Sequence, residues 1–176
     1  MARDEGQLFI VNPYDDNHIA LVQEFEEKIE YDLPRRVSDI LLQIRDTMSQ
    51  EKYEEKLQSG NEAVFNLFLL QDGVLKDSCC VEVNRDTRSC ELDFMSPSEA
   101  TNKRTTERLL TLATDFAESS LGMENVELTM MNRGEDMKSY LGELGYTAVN
   151  VGYGLGEGST SFVKTAGKVN ESSRVR

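Results

Sequence analysis

Two acidic residues stand in a segment that the sequence predicts to be a strand. Glu91 and Asp93 alternate with three apolar residues, Cys90, Leu92 and Phe94, and this period of two is typical of a strand with one buried face. Glu91 and Asp93 therefore share the other face. Two carboxylates on one face raise each other's pKa, which suits a general base that works near neutral pH. The alternative is that both form the solvated side of a half-buried strand.

A cluster of cationic residues opens the next predicted helix. Lys103, Arg104 and Arg108 stand near its start in a chain whose formal charge is −13. Backbone N–H groups and the helix dipole favour an anion at a helix start, and the hydroxyls of Thr105 and Thr106 would add donors. One interpretation is an anion site at this end of the helix. The other is a solvated helix face that pairs with neighbouring acidic residues.

Other kinds of site are disfavoured. His18 is the only histidine and spacing suggests no Ser or Cys partner for it, so a capping or surface role is expected in place of a hydrolytic triad. The acidic residues lack the alternating spacing of a calcium loop, so no metal site is expected. The charge of −13 repels nucleic acid and anionic lipid, and no apolar run approaches the ~20 residues that span a bilayer.

Length and composition are typical of one domain. A chain of 176 residues can bury roughly 70% of its unfolded surface, and we expect a single domain over residues 1–164 with a disordered polar tail over residues 165–176. The amino-terminal segment lacks the apolar core of a secretory signal, so the cytoplasm is the expected compartment. Cys79, Cys80 and Cys90 agree, because each is expected to be a small buried side chain and not half of a disulfide.

The first half of the chain predicts strands and helices that lead to Glu91. Apolar residues with helical spacing follow Asp15 and Asp16, and the same spacing over Val37–Leu57 predicts one long helix or two short ones. An antiparallel meander of three strands follows, because Asp72-Gly73 is a strong hairpin signal. Strands are predicted over Leu8–Val11, Ala63–Leu70 and Val74–Val83, and from Ser89 onward.

The second half alternates strands and helices with short connections. This order predicts crossovers packed against a sheet, with the strand at Ser89 parallel to the strand after the long helix. A glycine-rich run over residues 152–158 predicts a mobile hairpin loop, since no helix follows it as in a dinucleotide-binding motif. The predicted elements are a helix over Lys103–Leu121, a strand over Val126–Met131, a helix over Asp136–Leu144, and strands over Tyr146–Val151 and Ser159–Lys164.

This order of elements resembles that of the GNAT superfamily of acyl-coenzyme A-dependent N-acyltransferases. The best local match is Asn132 to Tyr146, where an Asn at a strand end precedes a short helix that closes on Leu-Gly-Tyr. In element order the resemblance covers Leu8 to Lys164. It implies an α/β (α+β) three-layer fold, with a central mixed sheet of about six or seven strands and helices on both faces.

The resemblance implies a reaction and its participants. An amine of a small molecule or a protein attacks the thioester of an acyl-coenzyme A, with acetyl-coenzyme A as the expected donor. Glu91 stands where several family members carry their general base, and Asp93 follows on the same face. The backbone N–H of Met95 or Ser96 resembles the donor to the thioester oxygen. A cationic or neutral acceptor is expected, because Glu91, Asp93 and the overall negative charge attract a positive amine.

The resemblance also implies where the coenzyme binds. In the family, backbone N–H groups at the start of the long helix hold the pyrophosphate, and glycines there let the phosphates approach. The corresponding stretch here, Thr101 to Thr106, contains no glycine. The cofactor-binding residues implied for this chain are Lys103, Arg104, Thr105, Thr106 and Asn132, together with Met95 and Ser96.

The general acid of the family is commonly a Tyr four residues before the closing Gly. Leu141 holds that position here and Tyr140 is its neighbour, which makes Tyr140 the candidate acid. One residue on a helix is a rotation of ~100°, so Tyr140 would face a different direction from the family's Tyr.

Two further expectations complete the interpretation. The missing glycines and the displaced Tyr favour an alternative function, a GNAT-fold binding or regulatory module that has lost the coenzyme and is catalytically inactive. The edge of the last strands, Tyr146 to Lys164, offers backbone groups to a second copy, so a homodimer is one expected assembly.

Overall fold

The fold is built on a mixed β-sheet. The computed structural model describes residues 5–28, 36–94, 103–131, 134–149 and 159–166. Within these residues the sheet has seven strands in the order β1-β2-β3-β4-β5-β7-β6. The strands are β1 Gln7–Ile10, β2 Glu62–Gln71, β3 Val74–Asn84, β4 Ser89–Phe94, β5 Asn125–Met131, β6 Thr147–Val149 and β7 Ser159–Thr165.

Five α-helices and one π-helical turn cover the sheet in the described residues. Two of the helices begin at a side-chain cap: the Asp15 carboxylate accepts from the N–H groups of Asn17 and His18, and the Ser49 hydroxyl accepts from the N–H of Lys52. The helices are α1 Asp16–Glu27, α2 Val37–Thr47, α3 Gln50–Ser59, α4 Lys103–Asp115 and α5 Gly134–Leu144, and the π-helical turn Phe116–Ser120 continues α4.

The structure decides between one helix and two over Val37–Leu57. Met48 has an extended backbone, with φ −141° and ψ 144°, and Ser49 caps a new helix one residue later. The segment therefore forms two short helices, α2 and α3.

The strand pairing confirms the predicted meander and crossover. β2, β3 and β4 pair antiparallel, and β4 pairs parallel with β5 after α4 crosses between them. Asp72 and Gly73, with φ of +53° and +78°, make the tight turn between β2 and β3. Both central residues of this turn need positive φ, which is why an Asp-Gly pair stands here.

Two apolar clusters lie on opposite faces of the sheet. The larger one joins the sheet to α4 and α5 through fully buried residues that include Leu92, Leu109, Leu110, Leu128 and Leu141. The smaller one joins β2 and β3 to α1 and α2, and its buried residues include Val22, Phe25, Leu41, Phe68 and Leu75. Helices on both faces of a mixed sheet confirm the predicted three-layer α+β fold.

Some predicted features lie outside the described residues. The glycine-rich run over residues 152–158 and the tail beyond residue 166 are among them. The last strand is described to Thr165, one residue longer than predicted. No helix among the described residues is long and apolar enough to cross a membrane.

The three cysteines are free thiols. Cys79 and Cys90 are buried on the α4 side of the sheet, as predicted, whereas Cys80 points to the opposite face and is half-buried. Burial raises the pKa of Cys80 and of Cys90 to about 12, with a smaller contribution from nearby carboxylates. These thiols are therefore neutral packing groups at ordinary pH.

Candidate active site

Glu91 and Asp93 lie on the face of β4 that points away from α4. Their neighbours Cys90, Leu92 and Phe94 are buried in the cluster under α4, so the predicted alternation is confirmed. Glu91 is exposed and Asp93 is half-buried.

Glu91 lies between two other glutamates. On β3 its cross-strand partner is Glu82, and on β5 its partner is Glu127. We call these three residues the glutamate row. None of the three has an ion-pair partner among the residues that the structure describes. Like charges placed directly opposite one another on a sheet repel. The glutamate row is therefore a region of negative potential, and a bound cation would reduce the repulsion.

Both carboxyl groups on β4 have a raised pKa. Partial burial is the largest cause of the raised pKa of Glu91, followed by the charges of Glu82, Asp93 and Glu127. Burial alone raises the pKa of Asp93. The charge of Asp93 is one of those that disfavour ionisation of Glu91. A carboxylate with a raised pKa is a stronger base, so Glu91 has the electrostatic setting of a general base.

The glutamate row borders an open groove of about 450 Å³. Neither α1 nor α2 covers this part of the sheet, and Val64 on its floor is 46% exposed. The side chains that line the groove include Val64, Asn84 and Ser89 beside the three glutamates. An elongated molecule with a positive end could reach Glu91 from this groove.

The start of α4 carries the predicted cationic residues. Lys103 and Arg104 are exposed, and Lys103 Nζ lies 3.9 Å from a carboxylate oxygen of Glu107. Arg108 Nε donates to the carbonyl oxygen of Gly6 at 3.2 Å. The first turn holds no acidic residue. Positive side chains at the positive end of a helix leave this end suited to an anion.

The side chains of the two threonines in the first turn do not face solvent. Thr105 and Thr106 are buried, and Thr106 is 0% exposed. Their side chains pack beneath the helix, while Lys103 and Arg104 face solvent. An anion at this end would therefore meet the backbone N–H groups and the two cationic side chains first.

Tyr140 contacts α4 and is not near Glu91. Its hydroxyl donates to the carbonyl oxygen of Glu107 at 3.2 Å and shares a hydrogen bond with the hydroxyl of Thr111. The neighbouring Leu141 is fully buried. Since α4 and α5 pack on one face of the sheet and Glu91 projects from the other, the structure does not bring the candidate acid and the candidate base together.

Three of the predicted site residues, Met95, Ser96 and Asn132, lie outside the described residues. His18 has the structural role expected of it. Its Nδ1 accepts from the N–H of Asn12 at 3.0 Å, and its Nε2 lies 3.4 Å from the Asp15 carboxylate. No group of His, Cys, Asp and Glu side chains in the described ranges could hold a metal ion.

Sequence reasoning missed Glu82 and Glu127. Each stands between apolar residues of a strand, as Glu82 does between Val81 and Val83, so each strand taken alone showed an exposed acid and nothing more. The signal was the cross-strand register, which a single strand does not encode.

No family model matches the sequence, and no curated protein matches it either. Solved structures are similar in fold. Spermidine/spermine N-acetyltransferase SpeG from Vibrio cholerae is 16% identical, with a TM-score of 0.59, and the match covers 95% of this chain and 96% of that one. The apo form of FdhC, a nucleotide-linked sugar GNAT, is 14% identical, with a TM-score of 0.59 and coverage of 98% and 94%.

The Campylobacter jejuni N-acetyltransferase PseH is 14% identical, with a TM-score of 0.54, and the match covers 91% of this chain and 97% of that one. These similarities extend over nearly the whole of each chain. The chain therefore has the fold of the GNAT superfamily of N-acetyltransferases.

Proposed function

We propose that this chain is an acyl-coenzyme A-dependent N-acyltransferase that transfers an acetyl group to an amine. The observation that carries the proposal is the position of Glu91, on the open face of β4 beside the parallel strand β5, with a pKa raised by burial and by three nearby carboxylates. The fold supports it, since the similar structures SpeG and PseH are named as N-acetyltransferases.

The reaction we propose is a direct transfer. The amine nitrogen attacks the acyl carbon of the thioester, the C–N bond forms, and the C–S bond breaks. Glu91 takes the proton that the ammonium group must lose, directly or through one water. The thiolate leaves and takes a proton from solvent. The backbone N–H of Met95 or Ser96 is proposed to donate to the thioester oxygen.

We assign the pyrophosphate of the coenzyme to the start of α4. This end of the helix has exposed Lys103 and Arg104 and no acidic residue in its first turn. Backbone N–H groups at a helix start bind phosphate whatever their side chains are. Thr105, Thr106 and Asn132 are proposed to support this binding, with the two threonines acting from beneath the helix.

A cationic amine is the acceptor that the charges favour. The groove beside Glu91 is bordered by the glutamate row, and the chain as a whole carries a formal charge of −13. A negative field of this kind attracts a positive substrate and repels anionic ones. SpeG is named for the polyamine spermidine, which is an acceptor of this class.

The second candidate function is a binding module without catalysis. Its support is the hydroxyl of Tyr140, which is occupied by Glu107 and Thr111 on α4 and is therefore not placed to protonate a leaving thiolate. The groove and the glutamate row would then hold a cationic ligand or partner without transferring a group to it.

The experiment that tests the proposal measures release of the coenzyme thiol from acetyl-coenzyme A in the presence of mono-, di- and polyamines. We expect turnover with a cationic amine, and we expect Glu91→Gln to lower kcat/KM by about 10²-fold or more, the range of general base catalysis. The control is Glu51→Gln, an exposed glutamate on α3. Absence of amine-dependent release, combined with tight binding of a polyamine, would favour the binding module.

A further inference from the structure

Asp77 is a fully buried carboxylate that the proposed reaction does not use. It lies on β3 and is 0% exposed, and its Oδ1 accepts from the N–H of Ser78 at 2.8 Å. Burial of a carboxylate is costly unless its surroundings compensate the charge. The groups that lie above Asp77 therefore determine how far its charge is compensated.

A β-bulge sets the direction in which Asp77 points. Leu70 pairs with Leu75 but Leu69 pairs with Asp77, so Lys76 is an extra residue with no partner on β2. Leu75 is buried on the α1–α2 side of the sheet. Without the bulge Asp77 would point to that side too, whereas with it Asp77 shares the face of Leu69, under α4. Bulges that re-aim a side chain in this way are common next to active sites.

The first turn of α4 lies above the part of the sheet that contains Leu69 and Asp77. Arg108 donates to the carbonyl of Gly6, and Gly6 packs so closely on Leu69 that an added Cβ would lie 2.8 Å from its Cδ1. Leu69 is the cross-strand neighbour of Asp77. The other end of the helix lies over Phe65, whose ring contacts Phe116. The helix thus starts over the Leu69–Asp77 row and runs away from it.

The charges at the start of α4 are complementary to a buried anion. A helix start carries the equivalent of about +0.5 elementary charge. The first turn has no acidic residue of its own and instead carries Lys103 and Arg104, which add to the positive charge. The buried Thr105 and Thr106 place the polar side of this turn against the sheet. Asp77 is a buried carboxylate on the face of the sheet that α4 covers.

We propose that Asp77 is a positioning residue that supplies the missing negative charge at the start of α4 and thereby lowers the affinity of this end for an external anion. The second half of this statement rests on the proposed coenzyme site. Asp77 stabilises the first turn in the free protein. It also repels the pyrophosphate, because both anions act on the same positive end of the helix.

Asp77→Asn tests the proposal, since it removes the charge and keeps the shape. The control is Glu26→Gln, because Glu26 is a buried carboxylate on α1, 5% exposed, whose Oε1 accepts from a backbone N–H, that of Ser38 at 3.3 Å. We expect both variants to melt earlier than the unmodified chain. Only Asp77→Asn should speed hydrogen exchange of the first-turn amides of α4, by about fivefold or more.

Asp77→Asn is expected to weaken the fold but to strengthen the binding of coenzyme A. We expect Asp77→Asn to lower the Kd for coenzyme A about fivefold, and Glu26→Gln to leave it unchanged. A residue that only holds the fold together would weaken binding when altered. Adding Lys103→Glu to Asp77→Asn should restore slow exchange in the first turn, because it returns a negative charge to the helix start. Asp77→Ser replaces Asp77→Asn if the latter does not fold.

The outcomes separate this inference from the proposed function. Equal first-turn exchange in Asp77→Asn and Glu26→Gln, or no recovery with Lys103→Glu, would overturn the role of Asp77. Weaker coenzyme binding by Asp77→Asn would overturn the competition with pyrophosphate. If the unmodified chain binds no coenzyme A at millimolar concentration, the proposed function fails while the exchange measurement still decides what Asp77 does.

Discussion

Glu91 on β4 lies directly opposite Glu82 on β3, so two negative side chains face each other on the open side of the sheet. Such a pair opposes folding by about 0.2–1 kcal/mol. The pair borders a groove that a cation could occupy. Binding of the proposed cationic acceptor there would relieve the repulsion between the two glutamates.

The first prediction concerns stability. The charges of Glu82, Asp93 and Glu127, after burial, raise the pKa of Glu91 in the folded state. A raised pKa means that the folded state holds this proton more tightly, so the associated stability is present at low pH and is lost as the pH rises through the folded pKa. Glu82→Gln should therefore stabilise the fold at neutral pH by about 0.2–1 kcal/mol.

Urea denaturation at neutral pH, with Glu51→Gln as the control, measures this gain. The gain should shrink at acidic pH, where the carboxyl groups are protonated, and in high salt. An equal gain in both variants, or a loss in Glu82→Gln, would show that the glutamate row does not repel itself.

The second prediction concerns the pH dependence of the reaction. Glu91 must be ionised to act as a base, so kcat/KM should rise with pH through the raised pKa of Glu91. Glu127→Gln removes one of the charges that raise it and should move the acid limb of the profile to lower pH. If the acid limb of the kcat/KM profile stays at the same pH in Glu127→Gln, a group other than Glu91 determines that limb.

The third prediction concerns Tyr140. Its hydroxyl donates to the carbonyl of Glu107, so we expect Tyr140→Phe to lower the free energy of unfolding by about 0.5–1.5 kcal/mol. The rate of thiol release should fall less than about threefold, because solvent protonates the thiolate in the proposed reaction. A fall of 10²-fold or so at unchanged stability would instead restore Tyr140 as the acid.

The fourth prediction concerns the π-helical turn. Lys164 Nζ lies 2.6 Å from a carboxylate oxygen of Glu118, and the two side chains are only 14% and 20% exposed. The pair ties the turn after α4 to β7. Lys164→Met leaves Glu118 without this partner and should cost about 1–3 kcal/mol.

Adding Glu118→Leu to Lys164→Met should recover part of that loss, because the second substitution removes the charge left behind. Thermal denaturation of both single variants and the double variant measures the coupling. Additive losses would show that the two side chains act independently.

Much of the fold followed from local patterns. The alternation around Glu91 and Asp93 predicted their shared face, and Asp72-Gly73 predicted the hairpin, because both signals are contained in one short segment. The sequence did not decide between one helix and two around Met48, since the apolar spacing continues across it. In the structure the Ser49 cap starts a second helix there.

What could not be predicted depends on relations between segments. The glutamate row exists only through the register of three strands. The direction of Asp77 depends on one unpaired residue, Lys76, which reverses the face that simple alternation assigns. The contact of Tyr140 with α4 depends on the rotation of α5, which its own sequence does not fix.

The most direct test of the proposed function is calorimetric titration with acetyl-coenzyme A. The variants are Lys103→Ala/Arg104→Ala and a control of equal charge change, Lys52→Ala/Lys56→Ala, at two exposed positions of α3. We predict micromolar binding that the first variant weakens about tenfold and the control less than about twofold. No heat and no thermal shift at millimolar coenzyme would contradict an acyltransferase.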